Sequence, residues 1–171
     1  MKDLSIIKRS KGRCLVLAGL VLLSGCGFQL KGSAGGVTGL EGTTVRLISN
    51  QPRAELTREV TRELTVNGVI LLDDSTATLV LTIQPEQFAQ RNISLTAQAR
   101  AAELELTLSA DFTVQPVDSD PIEARAVVNR QMLNDPRNVV GKTEELRLLR
   151  EEMRQDLAAQ IVRRVGRSLS D

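Results

Sequence analysis

The chain of 171 residues has no histidine, no tyrosine and no tryptophan, only two cysteines and three phenylalanines. Each shortage closes off a class of function. Without His, the Ser-His-Asp and Cys-His triads and His-ligated zinc sites are excluded. With Phe28, Phe88 and Phe112 as the only aromatic side chains, there is no platform on which unpaired bases would stack. No run carries a nucleophile elbow or a phosphate-binding loop, so the sequence points away from an enzyme. What remains for catalysis is carboxylates such as Glu103 and Glu105, which at i and i+2 of a strand share a face about 7 Å apart at Cα. Such a pair is also what the wet face of a sheet contains.

What the sequence does carry begins at its start. Lys2, Lys8, Arg9, Lys11 and Arg13 precede the apolar run Val16 to Leu23, which is shorter than the roughly 20 residues a spanning helix needs and reads as a secretion signal. The run ends in Leu23-Ser24-Gly25-Cys26, which resembles the lipobox of bacterial lipoproteins. That resemblance implies cleavage before Cys26, diacylglycerol on its thiol and an acyl chain on the new amino terminus, with no other cofactor. Each buried methylene adds about 0.8 kcal/mol, so two or three chains on one residue anchor the protein durably without spanning the bilayer.

The chain thus divides into a signal (1–25), a lipidated Cys with a tether rich in glycine (26–42, with Gly32, Gly35, Gly36, Gly39 and Gly42), and one domain (43–171). Cys14 leaves with the signal and Cys26 is consumed by lipid, so no thiol is left for a disulfide or a metal. Beyond residue 25 there are 17 Lys and Arg against 20 Asp and Glu, a formal charge of −3. A nucleic-acid partner would call for a strongly basic domain.

Thr43 to Ile48 alternates and predicts a strand. Asn50 and Pro52 signal a helix start, and Leu56, Val60 and Leu64 place one apolar face along it until Asn67-Gly68 ends it. Val69 to Leu72 is a short apolar segment, and Ala77 to Gln84 a strand. Pro85 argues against a central strand beyond it; Glu86 to Ala99 is either a long hairpin loop or a twisted strand extension. Residues 103–114 and 122–129 alternate apolar and polar and predict an antiparallel hairpin turning at Gln115 to Pro121. Asn134-Asp135-Pro136 breaks it, a loop runs to Gly141-Lys142, and Thr143-Glu144-Glu145 caps a helix with Leu146, Leu149, Met153, Leu157, Ile161 and Val165 on one stripe. Arg147, Arg150, Glu151, Arg154 and Arg163 fall on its other faces, as a solvated surface would. The expected fold is α+β: a two-layer sandwich of a mainly antiparallel four-stranded sheet with two helices on one face.

With these elements placed, the chain resembles the LPS-assembly lipoprotein family LptE. The likeness starts at Cys26-Gly27-Phe28-Gln29-Leu30-Lys31-Gly32, continues through the charged helix into Asn67-Gly68-Val69 and Leu71-Leu72-Asp73, and takes in the alternating strand from Ala102, the Asn134-Asp135-Pro136 turn and the final helix. It implies a non-enzymatic plug and chaperone at the inner leaflet of the outer membrane, partnered by the LptD β-barrel and by lipopolysaccharide. Gly27 after the lipidated Cys fits export to the outer membrane. Lys142 matches one lipopolysaccharide-binding position of the family. Ala97 stands near the second, with Arg91 and Arg100 on either side as the basic candidates. An accessory lipoprotein of an ABC-type lipid exporter is the competing reading, since it shares the lipobox and a similar layout.

Overall fold

The computed structural model describes residues 39–95, 101–134 and 139–169. Among them the elements run β1 (Thr44–Ser49), α1 (Glu55–Val66), β2 (Ile70–Leu71), β3 (Leu79–Ile83), β4 (Gln87–Leu95), β5 (Ala101–Pro116), β6 (Ile122–Leu133) and α2 (Val139–Ser168). Strict alternation along β5 sends Leu104, Leu106, Leu108, Ala110, Phe112 and Val114 to one face, and all six are buried. Its 16 residues give it partners on both edges. β6 pairs antiparallel along one edge; along the other, β3 faces residues 112–116 and β4 faces residues 101–109, end to end.

Between β3 and β4 the ladder breaks. Ile83 lies opposite Phe112 and Gln87 opposite Ser109, so Gln84, Pro85 and Glu86 stand against only Ala110 and Asp111. Proline has no N–H to give to a ladder, and such an irregularity is where a sheet tolerates it. The stretch left open between loop and strand is therefore a strand, β4, through Leu95; residues 96–100 lie outside the described part of the chain.

β1 pairs in parallel with both β2 and β3. α1 returns the chain to the end where β1 began, which makes a parallel neighbour, and β2 forms only two residues there. Residues 72–78 then cross below the start of β1, where Thr78 donates from its N–H to Thr44 Oγ1 and from its hydroxyl to the Thr44 carbonyl, each at 2.9 Å. Thus β3 enters on the other side of β1. The expected mainly antiparallel four-stranded sheet is corrected to a mixed sheet with six strands among the described residues; the α+β class stands. β2 is too short to show a period, and a helical crossover rather than a hairpin sets the direction of β1.

α1 starts at Glu55, later than Pro52 suggested. Residues 51–54 form a turn in which the Thr57 hydroxyl donates to the Gln51 carbonyl at 3.0 Å. Leu56, Val60 and Leu64 are buried, and Gly68 ends the helix at φ +79°, where a Cβ would stand 3.3 Å from the Glu41 backbone. α2 begins at Val139, so Lys142 and Thr143 to Glu145 lie inside the helix and not in the loop and cap expected. Gly141 costs a helix only about 1 kcal/mol and does not stop it. Met153, Leu157, Ile161 and Val165 are fully buried, and together with α1 and the inner sheet face they make one core, which also takes in Leu40.

Leu106→Ala removes a fully buried side chain from the middle of β5 and is expected to cost about 3 to 4 kcal/mol. Leu133→Ala, at a position 71% exposed, should stay within about 0.5 kcal/mol. Urea unfolding of both variants checks the placement of the core.

Candidate functional site

Lys142 and Arg91 fall toward the far end of the β4–β5–β6 ladder, where it extends past β1 and β3. Lys142, in the first turn of α2, is half-buried and donates to Asn134 Oδ1 at 2.5 Å, just beyond the end of β6. An ammonium has three donors, so this bond orients the head without exhausting it. Arg91 lies on β4, exposed, with its guanidinium 2.6 Å from Glu105 on β5. The register sets Arg91 opposite Glu105 and Glu105 opposite Gln131, three residues short of Asn134. The alternation of β5 turns Glu105 and Arg91 to the face away from the helices, so the two cations share an end of the ladder but not a face. Cys26 and Arg100 lie outside the described residues.

A denser charge cluster sits where β3 gives way to β4. Glu86 accepts from Arg150 at 2.8 Å and from Arg154 Nε at 2.8 Å, and Arg154 also pairs with Glu55 at the start of α1. The side chains of Glu86 and Arg154 are only 16% and 12% exposed. Burial pushes the Glu86 carboxyl up, but the hydrogen bonds and charge of Arg154 and Arg150 outweigh it and hold the group below its ordinary range. The bond to Glu86 in turn raises Arg154. The Arg150 guanidinium lies 4.7 Å from the Phe88 ring centroid, a cation–π contact.

Sequence reasoning placed Arg150 and Arg154 on a solvated face. They are instead a fork at i and i+4 closing on one carboxylate. The available signal was Glu86 itself, a lone acid directly after Pro85 where a strand breaks. Above the cluster a groove of about 710 Å³ opens between the start of α1, the first half of α2 and the inner face of β4, with Phe88 and Leu146 among its walls and Arg58 and Arg147 beside them. Arg147 is tied to Glu144 at 2.8 Å and to Glu151 at 3.3 Å.

Chemically, this arrangement holds paired charge. Glu86 is kept ionised by two guanidiniums that never deprotonate in proteins, and Glu105, one of the two strand carboxylates, is occupied by Arg91. Among the described residues no group of His, Cys, Asp and Glu side chains is arranged to hold a metal ion, and no helix is long and apolar enough to cross a membrane.

Glu86→Gln takes the shared carboxylate from Arg150 and leaves Arg154 with the more exposed Glu55, so it is expected to cost about 2 kcal/mol at pH 7. Because Glu86 is depressed in the folded state, its contribution is complete above the ordinary carboxyl value of 4.5 and is lost as pH falls through the lower folded value. Denaturation at pH 7 and pH 3 should show the difference between parent and variant closing in acid.

Residues 42–165 match the family model described as LptE, lipopolysaccharide-assembly. The LPS-assembly lipoprotein LptE of Photorhabdus laumondii is 29% identical over 153 residues, 88% of this chain and 83% of that protein; that of Yersinia pestis is 30% identical over 154 residues, 88% of this chain and 73% of that protein. The crystal structure of rare lipoprotein B from Shewanella oneidensis superposes with a TM-score of 0.65 at 28% identity, covering 75% of this chain and 94% of that one. An NMR structure of lipoprotein B from Nitrosomonas europaea shares the fold, with a TM-score of 0.66 at 19% identity over 84% of this chain and 93% of that one. The chain therefore belongs to the LptE family of lipopolysaccharide-assembly lipoproteins.

Proposed function

We propose that the chain works as a lipid-anchored plug and chaperone at the periplasmic side of the outer membrane. In this reading Cys26, freed by signal cleavage, carries diacylglycerol and an N-acyl chain, the domain sits in the LptD β-barrel, and lipopolysaccharide is met by Lys142, with Arg100 and Arg91 as the further basic contacts. It acts by binding and not by catalysis. The observation that carries the reading is the family match across residues 42–165, which favours it over service to an ABC-type exporter.

Two physical features support it. One face of the sheet is mainly polar, with Thr82, Arg91, Glu105, Asp111, Thr113 and Arg125 on it beside the exposed Ile48, Val127 and Leu133, which suits the polar interior of a large barrel. Lys142 is a cation in the first turn of a helix, the end whose partial charge is positive. Helix stability gives no reason for a cation there, whereas an anionic phosphate near a helix N-terminus is favoured by the dipole and by the ammonium together.

Lys142→Asp with Arg100→Asp in the full chain is expected to weaken lipopolysaccharide binding by about tenfold, the factor that a lost charge-assisted contact supplies. Thermal unfolding should fall only slightly, because an acid in the first turn of α2 suits the dipole and offsets the lost bond to Asn134. A folded double variant that binds like the parent would remove these residues from the site.

A further inference from the structure

β6 borders the sheet. It pairs with β5 along one edge, and among the described residues no strand pairs with the other. Alternate residues of a strand turn their backbone groups to the same edge. At three successive such positions of β6 one of the two outward backbone groups is taken by a side chain. The Arg125 carbonyl accepts from the Arg164 guanidinium. The Val127 N–H donates to Gln160 Oε1 at 2.8 Å. The Asn129 carbonyl accepts from Arg130 at 3.0 Å, and that guanidinium is held by Asp156.

Asp156, Gln160 and Arg164 stand at i, i+4 and i+8 on α2. Four helical residues rise about 6.0 Å, and two strand residues about 6.6 Å. One row of the helix therefore keeps step with one edge of the strand and runs opposite to it, Arg164 and Gln160 meeting the edge directly and Asp156 through Arg130. The row buries little: the polar atoms it joins are exposed, while α2 is already held by Met153, Leu157, Ile161 and Val165.

We propose that this row is a strand made of side chains, which closes β6 against pairing with the β6 edge of a second copy of the chain. Two features of β6 make the second copy the partner that needs excluding. An antiparallel edge is self-complementary about a two-fold axis, and Ile122 and Val127, both β-branched, are 48% and 40% exposed on it. Such an edge is a template for association unless it is covered or charged.

The test uses the full chain in mild detergent, with Asn129→Cys on the exposed side of β6 and a short bismaleimide cross-linker, read against the chain without that cysteine. The parent is expected to give background levels of dimer. Adding Gln160→Ala and Arg164→Ala should raise the cross-linked dimer by about tenfold, the equilibrium factor of the edge bonds a second copy then makes. Gln160→Glu, which keeps an acceptor for Val127, should stay at background. Hydrogen exchange on Gln160→Ala alone gives a reading that needs no association: the Val127 amide should exchange about threefold to tenfold faster, while Val128, whose N–H turns toward β5, keeps its parent rate. A folded double variant with dimer at background, or a Val127 amide with unchanged exchange, overturns the proposal.

Discussion

The burial of one face of β5 is the constraint on which the other elements depend. Its six inward side chains need cover on the same side over a length of 16 residues, more than α1 with its 12 residues provides. α2, 30 residues long, supplies the rest. Because β5 also has two edges to satisfy, β6 takes one, and β3 and β4 share the other. The bulge at Gln84 to Glu86 lets one chain segment serve both halves of β5 in succession. That bulge is also where Glu86 is presented to α2, so the backbone irregularity and the buried charge cluster have the same origin.

The electrostatics follow this geometry. In the half of the domain where β1, β3 and α1 complete the core, apolar packing suffices. Where the β4–β5–β6 ladder runs past β1, the inner face of β4 carries Phe88 and Gln90, and cover comes from arginines: Arg150 over Phe88 and the Arg150–Arg154 fork on Glu86. The end beyond holds Lys142 against Asn134 at the positive end of a helix. A family whose members assemble lipopolysaccharide has use for a firm platform with cations at one end and a polar sheet face along its side.

Much of this was legible in the residues. The alternation from Leu104 to Val114 and from Ala124 to Val128 defines the hairpin and its buried face, and the stripe from Leu146 to Val165 defines most of α2, because period two and period 3.6 are local signals. Three things were not legible. The parallel pairing of β1 depends on where a helical crossover lands. β2 forms two residues and β4 has polar residues on both faces, so neither has a hydrophobic period. Glu86 and Arg154 are 68 residues apart, and nothing local distinguishes a clamping arginine from a solvated one. Lys142 is a candidate through resemblance alone; its place inside the helix was hidden by Gly141, which looked like a boundary and is not one.

The central claim is that this domain acts as the plug of an outer-membrane barrel. The most direct measurement expresses the full chain with its signal in its native envelope, extracts it in mild detergent and identifies what co-purifies. Recovery of one large β-barrel protein in about equal amount, together with lipid on Cys26 by mass spectrometry, is the predicted result. Recovery of inner-membrane transporter subunits without a barrel would contradict it.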